Sequence, residues 1–283
     1  MRASITLTLV FIGSTVSCTQ APDPATLSVV AAPSAQSHAE WCNPRTLSPE
    51  QISTNRSHAK EAAQYAAYAI LSNDAYGTSH EQIPLPPDWT RVKFDFVGGE
   101  TGLALAVFEK RTNGGLTEVV MSFRGTDDRL DWKTNLEPLH RVQMKPAETN
   151  FEALSARYEG SHVRIVTTGH SLGGGLAMHI SFHYPGVDAV VFDASPVARP
   201  GLMPKTQAHR VSISESGEVL EVLRDAASVR WPNTERIKYR FVHDLPVEQH
   251  SMPMLAANLV KLGTTESPAL AEFVKRECRS IGS

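Results

Sequence analysis

Ser171 has the strongest concentration of chemical signals around it. It lies in "VTTGHSLGGGLAMH", residues 166–179, as the third member of Gly169-His170-Ser171-Leu172-Gly173. Residues 163–167 before it read as a β-strand, and residues 172–182 after it as a helix. A G-x-S-x-G pentapeptide at such a junction holds its serine in a strained turn, and the flanking glycines let strand and helix approach. The hydroxyl then stands clear of the sheet, at the positive end of the following helix. That is the placement of a nucleophile. A phosphate-cradling bend would need a G-x-G-x-x-G or G-x-x-x-x-G-K-[ST] spacing, and neither occurs here.

A serine nucleophile needs a base, and in strand-turn-helix sites of this type the chain order is serine, acid, histidine. The chain has eleven histidines, of which His179, His183, His209, His243 and His250 follow the elbow. His179 and His183 are one helical turn apart and could ligate zinc, but no convincing third ligand accompanies them, so they read as a helix face. His209 precedes a strand. His243 ends the strand-like "YRFVH", whereas His250 lies in the loop "VEQHSMPML" before a late helix. The oxyanion of an acyl-transfer intermediate also needs donors, and the backbone N–H of Leu172, directly after the nucleophile, is the first of them.

"VTTGHSLGGGLA" together with the upstream block "VVMSFRGTDDRLDW" resembles the class 3 lipase family, a branch of the α/β-hydrolases. The helix "YAAYAILSNDAY" is similar to that family's N-terminal helix, so the likeness spans residues 65–262, with only the elbow and "FRGT" blocks specific. The resemblance implies a late-loop histidine, which selects His250 over His243. It implies an acid in the segment "VSISESGEVLEVL", where Glu218 takes a place usually held by aspartate; Glu215 is the close rival, and Asp193 and Asp225 are outside candidates. Glutamate orients an imidazole as aspartate does, from one methylene further back. The resemblance also implies Thr126 as the second oxyanion donor, and a reaction that uses no metal or organic cofactor. Between Trp132 and the elbow the chain is shorter than the family pattern, so residues 136–144 are at most a short, weakly amphipathic lid.

Several elements must position these groups. Ser48 with Pro49 opens a helix that breaks near "ISTN"; a second runs over residues 58–74 and buries Tyr65, Tyr68, Ala69 and Ser72. "RVKFDFVGG", "GLALAVFEK" and "LTEVVMSFRGT" are three β-rich stretches separated by the hairpin signals "GGE" and "RTNGG". A helix is expected over residues 146–158, strands at "HVRIVTTG", "VDAVVFD", "HRVSIS" and "RIKYRFV", and a last helix over residues 252–262. Short apolar strands alternating with helices predict an α/β-hydrolase-type, mostly parallel central sheet with N-terminal β-hairpins and flanking helices.

The 283 residues, with 41% hydrophobic, suffice for one substantial core. A net charge of −3 with no basic stripe argues against a nucleic-acid partner. Residues 1–18 carry Arg2, a short apolar run and Cys18, the pattern of an export signal and not of a membrane span. "TVSC" resembles a bacterial lipobox, with Thr15 where a larger aliphatic residue is usual, so Cys18 is the expected lipidation site and a membrane anchor. Residues 19–40, rich in Ala, Pro and Ser, read as a flexible tether, and residues 41–283 as the catalytic domain. Lipidation of Cys18 leaves Cys42 and Cys278 as an even pair, expected to form a disulfide in an exported protein of the periplasm, outer membrane or medium. The function these features predict is a serine carboxylic ester hydrolase acting on acyl esters or lipids. Its alternatives are a phospholipase A1-like enzyme directed at membranes and a non-catalytic hydrolase-fold module that binds lipid or envelope material.

Overall fold

Asn113 and Gly114, at φ 52° and 79°, form the turn that "RTNGG" calls for. Two consecutive left-handed residues match the right-handed twist of the strands they join. These strands belong to a seven-stranded sheet laid out in chain order among the described residues. It comprises β1 Trp89–Val92, β2 Leu105–Thr112, β3 Gly115–Phe123, β4 Arg164–His170, β5 Asp188–Phe192, β6 Arg210–Glu215 and β7 Thr234–Tyr239. β1, β2 and β3 pair antiparallel, whereas every later neighbour is parallel. The computed structural model describes residues 41–42, 47–77, 82–126, 132–196, 208–221, 231–241 and 249–279, without the side chains of 132–140. The expected signal and tether, Cys18, Asp225 and His243 lie outside them.

Strand residues alternate between two apolar layers, as a two-residue period requires. Val120, Val166, Val190, Phe192, Val211 and Ile213 face one layer; Val119, Met121, Phe123, Ala189 and Val191 face the other. Two helices, α2 Ala59–Asp74 and α5 Met252–Gly263, cover the first face through residues such as Ile70 and Leu259. The second face is covered by α3 Trp132–Arg157 and α4 Leu172–His183, through Phe151, Leu154, Leu176 and Ile180. With both faces covered, β5 carries a continuous apolar run from Ala189 to Phe192, as a strand buried on both sides should, whereas β4 and β6 interleave buried Thr and Ser with their apolar residues.

The N-terminal helices follow their sequence signals. Helix α1, Pro49–Asn55, starts with a capping box in which Ser48 Oγ accepts from the Gln51 N–H and Gln51 Oε1 accepts from the Ser48 N–H. Arg56–His58 form the break before α2, on which Tyr65, Tyr68, Ala69 and Ser72 are buried.

Elsewhere the structure departs from the expectation. The predicted helix 146–158 begins at Trp132 and continues through Pro146, so residues 136–144 form the first half of a long helix. "GGE" makes no tight hairpin: Gly98 and Gly102, both left-handed, flank a single helical turn in the long β1–β2 connection. Nor is α5 the last helix, because α6, Pro268–Arg279, follows it. α6 carries Cys278 to Cys42, and the two form a disulfide across 236 residues with a Cα–Cα distance of 5.4 Å. Trp41 stacks on Phe273 beside it, ring centroids 6.3 Å apart. No helix among the described residues is long and apolar enough to cross a membrane.

Candidate active site

Ser171 joins β4 to α4 with φ 56° and ψ −123°, a conformation that costs a non-glycine residue of order 1–3 kcal/mol. Neighbouring strands and the helix hold it there. Its N–H donates to the Phe192 carbonyl at 3.1 Å, and its carbonyl accepts from the N–H groups of Gly175 at 3.1 Å and Ser195 at 2.9 Å. The glycines of the motif are sterically required. A Cβ on Gly169 would lie 2.6 Å from the Phe123 carbonyl oxygen, and one on Gly173 would collide with the same oxygen. Buried hydroxyls complete the seam: Thr168 Oγ1 donates to the Val190 carbonyl at 2.6 Å, and Thr167 Oγ1 to the Ala177 carbonyl at 2.9 Å.

The "FRGT" block passes directly over this turn. A Cβ on Gly125 would run into the Tyr76 hydroxyl, and would lie 2.7 Å from the His170 carbonyl oxygen and 3.2 Å from Ser171 Cβ. Only glycine allows that approach. Thr126 follows it, with a buried Oγ1 that makes no hydrogen bond among the described residues. Leu172, whose N–H opens α4, is buried.

His250 Nδ1 lies 2.7 Å from Glu218 Oε2, with both side chains withdrawn from solvent. A carboxylate only accepts, so this bond places the proton on Nδ1 and the lone pair on Nε2. The Leu220 N–H, 2.8 Å away, donates to the same Oε2 and fixes the carboxylate. The His250 ring packs against that of His170, the residue before Ser171, with centroids 4.5 Å apart. His170 is anchored in turn by Tyr76, whose hydroxyl is 2.8 Å from its Nδ1.

The rival acids have other surroundings. Glu215, the last residue of β6, is buried, and that burial together with the nearby Glu218 pushes its carboxyl up to about 9. Both influences favour its uncharged form at neutral pH. Asp193, fully buried with φ 40°, accepts from the Glu215 N–H at 2.9 Å. Its carboxylate, His170 and His250 bring nitrogen and oxygen atoms within 4.8 Å of one another, so Asp193 is part of the polar floor of the site. Reading the sequence missed the roles of Tyr76 and His170, because only the folded chain brings α2 against the end of β4.

A strained serine between a parallel strand and a helix, at the C-terminal edge of a mostly parallel sheet with antiparallel N-terminal strands, is the esterase- and lipase-like fold of the α/β-hydrolase superfamily. Residues 67–231 match the family described as phospholipase-like, the Tle-like phospholipase domain. That is more than half of the chain, and the chain belongs to this family. No curated protein sequence matches it. Among solved structures it is similar to Rhizopus niveus lipase II at 12% identity and TM-score 0.46, covering 58% of this chain and 76% of that one. A lipase–propeptide complex from Rhizomucor miehei is 14% identical with TM-score 0.42, over 59% of this chain and 63% of that one. The lipase of Rhizopus microsporus var. chinensis is 14% identical with TM-score 0.39, over 54% and 66% of the two chains.

Proposed function

We propose that the protein is a serine hydrolase that cleaves an acyl ester of phospholipids, through an acyl-enzyme, in the manner of a phospholipase A1. Membership of a family described as phospholipase-like supports the substrate class. The buried His250–Glu218 pair packed against the residue next to a strained serine carries the mechanism. The likeness of the elbow and "FRGT" blocks to class 3 lipases agrees with both.

In this reading His250 Nε2 takes the proton of Ser171 as Oγ attacks the ester carbonyl carbon. The carbonyl oxygen becomes an oxyanion, held by the backbone N–H of Leu172 and by Thr126. Collapse of the intermediate breaks the ester C–O bond, and His250 returns the proton to the departing lysophospholipid oxygen. Water, deprotonated by the same imidazole, then releases the fatty acid and restores Ser171. Glu218 keeps the ring in the required tautomer and stabilises the imidazolium.

The Cys42–Cys278 disulfide favours an oxidising compartment, and with the N-terminal signal pattern it supports an exported protein tethered through Cys18. The test is fatty-acid release from phosphatidylethanolamine and phosphatidylglycerol vesicles, compared with triacylglycerol emulsion and short-chain p-nitrophenyl esters. Vesicle hydrolysis lost in Ser171→Ala supports the proposal. Hydrolysis confined to short-chain esters, or unaffected by that substitution, overturns it.

A further inference from the structure

Between α3 and α4 the fold gathers three groups that stand far apart in the sequence. His179 and His183 are one turn apart on α4, and Glu148 reaches both from α3. His179 Nε2 lies 3.0 Å from Glu148 Oε1, and His183 Nε2 lies 3.9 Å from the same oxygen. The imidazole centroids are 3.8 Å apart, and one nitrogen or oxygen from each residue falls within 4.8 Å of the other two. Ligands held about 2.0–2.2 Å from a tetrahedral ion are separated by roughly 3.3–3.6 Å, a spacing that the observed distances bracket.

The surroundings suit ligation as well. His183 Nδ1 donates to the His179 carbonyl at 3.0 Å, which leaves the Nε2 lone pair directed at the cluster. A backbone carbonyl on the far nitrogen is how a ligating imidazole is commonly oriented. Lys145 pairs at 3.3 Å with Glu148 Oε2, the other carboxylate oxygen, so Oε1 is left to the two imidazoles. His179 is buried, whereas the side chains of Glu148 and His183 retain 19% and 18% of their exposure. An ion therefore has a route in from the solvent side. Two histidines at i and i+4 are a recurrent zinc-binding pair, and the carboxylate from the crossing helix supplies the third ligand that sequence alone did not reveal.

We propose that Glu148 Oε1, His179 Nε2 and His183 Nε2 form a binding site for a divalent transition metal of the zinc class, with a fourth position open to water. Ligation requires His179 Nε2 to give up the proton that it directs at Glu148 Oε1, to solvent or by a change of tautomer to Nδ1, and the bound ion fastens the elbow helix α4 to α3. This site is independent of the ester-hydrolase reading, because it takes no part in the chemistry at Ser171.

The test uses the full chain freed of metal by chelation, titrated at neutral pH with Zn2+ by calorimetry and with Co2+ by visible absorption. The expected result is one ion per chain at micromolar affinity or tighter, tetrahedral or five-coordinate Co2+ bands, and a Tm that rises with Zn2+. His183→Ala and Glu148→Gln, shown by circular dichroism to be folded, should each weaken binding by about tenfold or more. His250→Ala should retain the same stoichiometry, which separates this site from the His170, Asp193 and His250 group. No saturable uptake, uptake unchanged in both cluster variants, or uptake abolished by His250→Ala overturns the proposal; in each case the His179–Glu148 contact is only an ion pair between helices.

Discussion

Glu218 Oε2 lies 2.7 Å from His250 Nδ1 and 2.8 Å from the Leu220 N–H, so one buried oxygen both orients the imidazole and is itself held by the backbone. Glu218→Gln preserves the side chain's size but can present an amide N–H to Nδ1, which favours the wrong tautomer. Its kcat should fall by about 10³–10⁴-fold with KM little changed, by the general behaviour of such triads. Stopped-assay kinetics on a soluble ester check this. A kcat within a factor of a few of the parent protein would remove Glu218 from the mechanism.

Glu215 predicts an alkaline weakness. Its carboxyl is raised from an ordinary 4.5 to about 9 by burial and by Glu218. Between those values the folded state holds a proton that the unfolded state has released, so stability is greatest below about 4.5 and declines as pH rises through the folded value. The slope from one such proton is at most about 1.4 kcal/mol per pH unit. Glu215→Gln, neutral at every pH, should flatten the fall of Tm between mildly acidic and alkaline buffers. An equally steep fall in this variant would show that the charge at Glu215 is not its source.

Gly125 tests the close packing over the elbow. In Gly125→Ala the methyl meets the Tyr76 hydroxyl, the His170 carbonyl and Ser171 Cβ, and the strain should cost about 1–3 kcal/mol. Displacement of the serine and its neighbours by a fraction of an ångström to an ångström should lower kcat/KM by about 10²-fold. Gly115→Ala is the control, since its methyl meets only the Thr112 carbonyl at an ordinary 3.6 Å. Equal activity in the two variants would contradict the packing described here.

The disulfide closes nearly the whole domain, since its cysteines stand 236 positions apart. Chain-entropy reasoning gives a stabilisation on the order of 5 kcal/mol, so opening the disulfide should lower Tm by roughly 10 °C for a domain of this size. Differential scanning fluorimetry with and without reductant reads this directly, and Cys42→Ser/Cys278→Ser should match the reduced protein. An unchanged midpoint in both would mean that the closed loop contributes nothing to stability.

The parts of the fold that sequence made legible are those whose chemistry is local. The elbow glycines, the Asn113-Gly114 turn and the Ser48 cap each demand one backbone conformation from adjacent residues. Glu218 and His250 were legible only through a family resemblance, because two groups that the fold puts in contact stand 32 positions apart in the chain. Helix α3 was underestimated because Pro146 removes a backbone donor and reads as a helix start; inside the helix, Asn150 Nδ2 donates to the Pro146 carbonyl at 2.8 Å. α6 fully buries only Phe273, yet Leu270, Val274 and Cys278 recur on the same face at helical spacing and pack beside it, so this stripe and the cap in which Ser267 Oγ accepts from the Leu270 N–H are both signals that its sequence carries. Glu148 had no signal at all, since its partners lie on a different helix.

The central claim is that the hydroxyl of Ser171 is activated by His250. A fluorophosphonate probe followed by peptide mass mapping measures this most directly. The account predicts one adduct per chain, on Ser171, formed rapidly in the parent protein, absent in Ser171→Ala and slowed by orders of magnitude in His250→Ala. A folded protein that remains unmodified, or one labelled at Ser171 at the same rate without His250, would contradict it.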